Sequence, residues 1–203
     1  MAALDTILES GLIRAAGGLW GHATRAAFLD ALAAGKLPEE AFQGWLAQDY
    51  LFARELLAFQ AILLSKSARS CHTVLVGGLV ALDSELSWFE SQAERLSLDL
   101  KVEPHSVCRR YGDFMIRSAY TEPAAVLLAV LFGIEVSYLA VWSALKPEGE
   151  YKEFIERWSN PDFIEYVAAL QGLTEKHLHQ TQQAAFDQVL ELERDFWRMT
   201  WEG

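Results

Sequence analysis

Apolar residues recur every three or four positions along most of this chain and nowhere alternate over the length of a strand. There is no Asn-Gly or Asp-Gly hairpin signal, so the pattern predicts an all-α fold. A short first helix is expected over residues 4–15, broken by Gly17-Gly18, and a second over 20–34, stopped by Gly35. Pro38 followed by Glu39 and Glu40 opens a long third helix reaching about residue 66, with proline and acids where a helix N-terminus favours them. Ser70 is placed to cap a fourth helix running to about 96, Pro104 to begin a shorter fifth, and Pro123 a sixth. After the loop Lys146-Pro147-Glu148-Gly149, helices are expected over 150–158 and 161–170, meeting at Ser159-Asn160, and a last one over 174–200. Long helices with short joints, no repeat and no linker read as a single-domain helical bundle over residues 1–203.

The sixth helix breaks the amphipathic rule. Residues 124–142 are apolar nearly all round, with one charge, Glu135, in the middle. The run is long enough to cross a bilayer, but a carboxylate at its centre would be costly there, and the remaining helices carry well-charged outer faces. A helix buried at the centre of a soluble bundle is the expectation.

Composition narrows the partners. Hydrophobic residues make up 52% of the chain and the net charge is −11; a chain this apolar folds, and no basic stripe is present to meet phosphates, so neither nucleic acid nor membrane is an expected partner. Cys71 and Cys108 are too few for a disulfide scaffold and lack metal spacing. No charged n-region precedes a continuous apolar core at the N-terminus, and the expected location is cytoplasmic. Aromatics near helix ends, Trp142 and Trp201, are candidates for a contact between copies, and a homo-oligomer is expected.

The helical period also singles out acids that point inward. Asp49 falls inside the stripe Trp45, Leu46, Phe52, Leu56, whereas Glu39 and Arg54 lie opposite. Glu193 is bracketed by Val189, Leu190, Phe196 and Trp197, while Glu191 sits among Asp187, Arg194, Asp195 and Arg198 and faces out. Glu85 has Ala81, Leu82, Trp88 and Phe89 around it, and Tyr138 shares a face with Glu135 three residues on. Tyr111 falls with Val107, Cys108, Phe114 and Met115, a pattern more often met by plain core. Buried acids are costly unless paired, and neighbouring ones repel. Carboxylates with divergent pKa values are what general acid–base hydrolysis requires. Metal binding is the competing use, but bundle di-iron sites need Glu-x-x-His, and His22, His72, His105, His177 and His179 do not complete that spacing with an inward acid. Neither a metal nor another cofactor is expected.

Taken together, Gln48-Asp49-Tyr50, Tyr111, Ile134-Glu135-Val136-Ser137-Tyr138 and Glu193-Arg194-Asp195-Phe196-Trp197 resemble the TenA/thiaminase II family over about residues 20–201. The resemblance implies a haem-oxygenase-like all-α fold and a substrate drawn from the pyrimidine half of thiamin. It implies that Asp49 hydrogen-bonds an aminopyrimidine ring with Phe52 beside it, that Tyr111 and Tyr138 line the pocket, and that Glu193 is an acid–base group. The thiaminase branch carries a nucleophilic Cys in the segment corresponding to residues 133–135, and this chain has none there. Trp158 also stands where that branch has a pocket Tyr. Both features resemble the branch in which Glu replaces Cys. That branch hydrolyses N-formyl-4-amino-5-aminomethyl-2-methylpyrimidine and the free amine towards 4-amino-5-hydroxymethyl-2-methylpyrimidine. Glu135 and Glu193 are then the expected catalytic pair, and Asp49, Phe52, Glu85, Tyr111, Tyr138 and Trp158 the expected substrate contacts. Two other readings fit the same sequence: a non-catalytic pyrimidine-binding or regulatory protein, and a haem or di-iron oxidase of the same architecture.

Overall fold

Where an apolar stripe persists for several turns, the chain forms one long helix; where a side chain competes for the backbone, it breaks. A computed structural model of the protein describes residues 2–177 and 180–202. The long elements are α5 (Glu39–Lys66), α6 (His72–Leu96), α7 (Ser106–Thr121), α8 (Ala124–Ser143) and α11 (Gln180–Glu202). Shorter helices precede and separate them: α1 (Ala2–Leu8), α2 (Gly11–Ala16), α3 (Gly18–Ala23), α4 (Ala27–Ala33), α9 (Lys152–Trp158) and α10 (Pro161–Thr174). No strand occurs among the described residues.

Several boundaries differ from expectation, each for a local reason. The first expected helix is split at Ser10, whose hydroxyl accepts from Leu12 N–H at 3.3 Å and donates to Glu175 Oε1 at 2.6 Å, while Gly11 N–H donates to the same oxygen at 2.9 Å. The second is split because Thr24 bonds back to the Trp20 carbonyl through both its N–H and its hydroxyl, a competition with helix propagation typical of threonine. Ser70 caps nothing: a 3₁₀ turn over Arg69–Cys71 runs directly into α6. His105, not Pro104, opens α7, its ring Nδ1 accepting from Val107 N–H at 3.2 Å. Thr174 ends α10 instead of starting the last helix, because its buried hydroxyl is held by the carbonyls of Leu170 and Leu128. Leu178 and His179, which the expected last helix spanned, lie outside the described residues.

Helix α8 is the buried axis. It packs mainly against α11 and α10, while α5 packs against α6 and α7 on the other side. Its mean hydropathy of 2.2 would suit a membrane span, but most of its surface is covered by neighbouring helices. Close approach to α11 requires Gly133: a Cβ there would lie 3.1 Å from Val189 Cγ1 and 3.2 Å from Phe186 Cδ2. An aromatic cluster fills one end of the core, with Trp142 at 4.9 Å from Trp158 and 5.4 Å from Trp45 between ring centroids. Trp142 is fully buried there, which corrects its expected place at a contact between copies; Trp201 is 43% exposed.

Candidate active site

The inward acids converge. Asp49 (α5), Glu85 (α6) and Glu135 (α8) open onto one cavity of about 80 Å³ whose wall also includes Phe52, Tyr138 and Trp158. No Lys or Arg is among the lining residues. Glu193 (α11) and Tyr111 (α7) do not line it. They sit one layer behind, with the Tyr111 ring 4.7 Å from Phe52 and its hydroxyl donating to Glu193 Oε1 at 2.6 Å. Helical phase therefore read the direction of each acid correctly, including exposed Glu191, but direction alone does not tell which layer a residue occupies.

Each acid has its own environment. The Asp49 carboxyl accepts from Tyr138 O–H at 2.6 Å; burial pushes it well above the usual carboxylate range, and Glu85 and Glu193 add to the rise. Glu135 is raised to about 8, first by burial and then by the charges of Glu85 and Glu193. Glu193 is raised to about 7 by burial, against which the hydrogen bond from Tyr111 acts. Glu85 accepts from Trp158 Nε1–H at 2.7 Å and is raised by burial, with nearby Arg157 acting the other way. Glu135 and Glu193 are thereby able to hold or release protons near neutral pH.

Neither thiol reaches this chemistry. Cys71 and Cys108 are both outside the cavity wall. Cys108 is buried, its Sγ faces the Gln48 carbonyl at 3.5 Å, and burial with Asp49 and Glu55 nearby pushes it to about 12. Among the described residues no group of three His, Cys, Asp or Glu is arranged to hold a metal ion.

Sequence reasoning missed Phe163 and Tyr166 on α10, which close the cavity, and Gly78 on α6. Phe163 and Tyr166 are spaced three apart on an expected helix, which was the available signal. Together with Glu85 and Trp158 they also line an outer groove of about 570 Å³. A larger surface depression of about 820 Å³, lined by His22, Arg25, Arg194 and Trp201 among others, contains none of the inward acids.

An all-α bundle enclosing carboxylates and aromatic rings at its centre defines the class. Residues 14–203 match the TENA/THI-4/PQQC family, and the chain belongs to it. A Glycine max protein described as a "Probable bifunctional TENA-E protein" is 29% identical, the match covering 90% of this chain and 88% of that protein. The X-ray structure of a TenA homologue from Pyrococcus furiosus superposes with a TM-score of 0.87 at 27% identity, covering 94% of this chain and 98% of that one. A TenA family transcription regulator from Silicibacter sp. superposes equally well, at 0.87, with 23% identity and 95% of each chain covered, a likeness of fold.

Proposed function

We propose that the protein is an aminopyrimidine aminohydrolase of thiamin salvage, hydrolysing the C–N bond of 4-amino-5-aminomethyl-2-methylpyrimidine or its N-formyl derivative. The observation that carries this reading is a glutamate, Glu135, opening onto an aromatic-walled cavity that no thiol reaches. Membership of the TenA family supports the pyrimidine, and the TENA-E description of the soybean relative supports the branch in which Glu stands for Cys.

Chemistry follows from the residues. Phe52, Tyr138 and Trp158 offer aromatic faces to a flat ring, and Asp49, oriented by the Tyr138 hydroxyl, is the group to meet the ring's amino group and nitrogen. A wall with three carboxyl groups and no cationic side chain suits a protonated aminomethyl group. That charge in turn draws Glu135 towards its ionised form. Ionised Glu135 takes a proton from water; the hydroxyl forms the new C–O bond as the C–N bond of the protonated amine breaks and releases ammonia, and Glu135 then gives its proton to the ammonia, which leaves as ammonium. Glu193, behind the wall, sets the charge that Glu135 experiences and takes part in the proton balance through that coupling. The formylated compound is neutral at the same position, so the free amine gains more from this wall.

The test is ammonia and formate release from the two pyrimidines, with Glu135→Gln as the control. Release by the wild type and a loss of about a hundredfold or more in the variant are expected, the scale of an acid–base group. Binding of the pyrimidine without any release would establish the non-catalytic reading in its place.

A further inference from the structure

Glu135 has a hydrogen-bonding chain behind it that none of the roles above uses. Tyr166 on α10 lines the same cavity as Glu135, and its hydroxyl acts on the Glu135 carboxyl as a neighbouring donor. Tyr166 is met from the other side by Gln60 on α5, whose Nε2 lies 3.3 Å from the Tyr166 oxygen and 3.1 Å from the Leu75 carbonyl. Gln60 is fully buried. The Leu75 carbonyl can only accept, so the end of the Gln60 amide that faces it must be the NH₂ group. The same nitrogen therefore donates to Tyr166 and cannot accept from it. The phenol has one proton, and with its oxygen already receiving a donor that proton is left for Glu135.

Helix α6 locks this arrangement. Gly78 passes so close that a Cβ there would stand 2.3 Å from Gln60 Nε2 and 2.4 Å from the Tyr166 oxygen. Any residue larger than glycine would push into the hydrogen bond itself. Four helices thus meet on a single line of polar atoms: α5 through Gln60, α6 through Leu75 and Gly78, α10 through Tyr166 and α8 through Glu135.

We propose that Gln60 and Tyr166 are positioning residues for Glu135, Gln60 fixing the direction of the Tyr166 hydroxyl and Tyr166 delivering its proton to the Glu135 carboxylate. This rests on the hydrolase reading for its consequence in turnover, though not for the geometry. The hydrogen bond stabilises ionised Glu135 against burial and against the other groups facing it, which are Glu85 from α6, Glu193 from α11 and Tyr111 from α7. Asp49 on α5, Tyr138 on α8 and Arg157 on α9 complete the titratable and charged surroundings of the cavity, Arg157 acting on Glu85. Tyr166 itself stays a phenol, its own ionisation opposed by burial and by Glu135.

The test is the titration of Glu135 in protein carrying ¹³C-labelled glutamate, the Glu135 carboxyl signal being assigned by its absence in Glu135→Gln. In Tyr166→Phe the Glu135 midpoint should rise by about one to two pH units, the size expected when a carboxylate loses one hydrogen bond. Gln60→Met should raise it in the same direction by less, and should add nothing in the Tyr166→Phe background, because Gln60 acts only through the phenol. Gly78→Ala should reproduce the rise. In turnover, the limb of the pH profile that belongs to Glu135 should move up with it, with kcat at pH 7 lowered about ten- to a hundredfold. A midpoint unchanged in Tyr166→Phe, or a Gln60→Met effect that persists without the hydroxyl, would overturn the proposal. So would a rate lowered equally at every pH, which marks a packing role. The titration needs no substrate, so a protein releasing no ammonia would remove the hydrolase reading and leave this one to be decided on the carboxyl signal.

Discussion

Glu193 should make the protein less stable as the pH rises, and replacing it with glutamine should remove that weakness. In the folded protein its carboxyl is raised from 4.5 to about 7, chiefly by burial. The folded state therefore holds the proton more tightly than the unfolded chain does. The stability this contributes is complete below the unfolded value near 4.5 and is lost as the pH climbs through the folded value near 7. The difference corresponds to about 3 kcal/mol, and the true figure depends on Glu135, since the two acids release their protons as a pair. Glutamine keeps an acceptor for the Tyr111 hydroxyl, which donates to Glu193 Oε1 at 2.6 Å, and has no charge to bury. In urea unfolding, Glu193→Gln should lie within about 1 kcal/mol of wild type at pH 5 and exceed it by about 2–3 kcal/mol at pH 9. For a chain of this length that gain amounts to roughly 5–10 °C in melting temperature. In turnover the same variant should move the Glu135 limb of the pH profile down, because one of the charges that raise Glu135 is gone, and Glu191→Gln, exposed on the same helix, should change neither stability nor profile. A stability gap that is equal at pH 5 and pH 9, or that reverses at pH 9, would refute the argument that burial sets this carboxyl's proton affinity.

Replacing both thiols, Cys71→Ser with Cys108→Ser, should leave turnover of the pyrimidines within a few-fold of wild type; a loss on the order of a thousandfold with the fold intact by circular dichroism is what removal of a nucleophile would produce. Asp49→Asn keeps an acceptor for Tyr138 but alters the group offered to the ring, and calorimetry should find pyrimidine binding weaker by about 1.5–3 kcal/mol. Gly133→Ala places a methyl 3.1–3.3 Å from Val189 and Phe186, both buried; overpacking should outweigh the helix propensity gained and lower stability by about 1–2 kcal/mol in denaturant unfolding.

The long helices were legible because a period near 3.6 residues needs only local sequence to show itself. Asp49 and Glu193 could be assigned to buried faces by the same means, and both are under 6% exposed. What was not legible depended on partners far along the chain. The break at Ser10 is made by Glu175, and Thr174 ends α10 partly because it reaches the Leu128 carbonyl. Gln60 is tied to Tyr166 by a hydrogen bond spanning 106 positions; the spacing of Tyr166 from Phe163 was a local hint, but nothing near Gln60 in sequence distinguishes it from ordinary core. The placing of Glu193 and Tyr111 behind the cavity wall is likewise a matter of layer, which periodicity does not encode.

The all-round apolarity of α8 also bears on the making of the protein. Its principal neighbours, α10 and α11, follow it in the chain, so a growing polypeptide presents this helix for the roughly 60 further residues needed to supply its cover, an interval of several seconds at ordinary rates of synthesis. During that interval it offers the machinery that recognises membrane anchors a segment of the right length and hydropathy. Glu135 at its midpoint opposes insertion, because a carboxylate at the centre of a bilayer costs several kcal/mol. One side chain thus helps keep the nascent chain in water before it has a cavity to open onto.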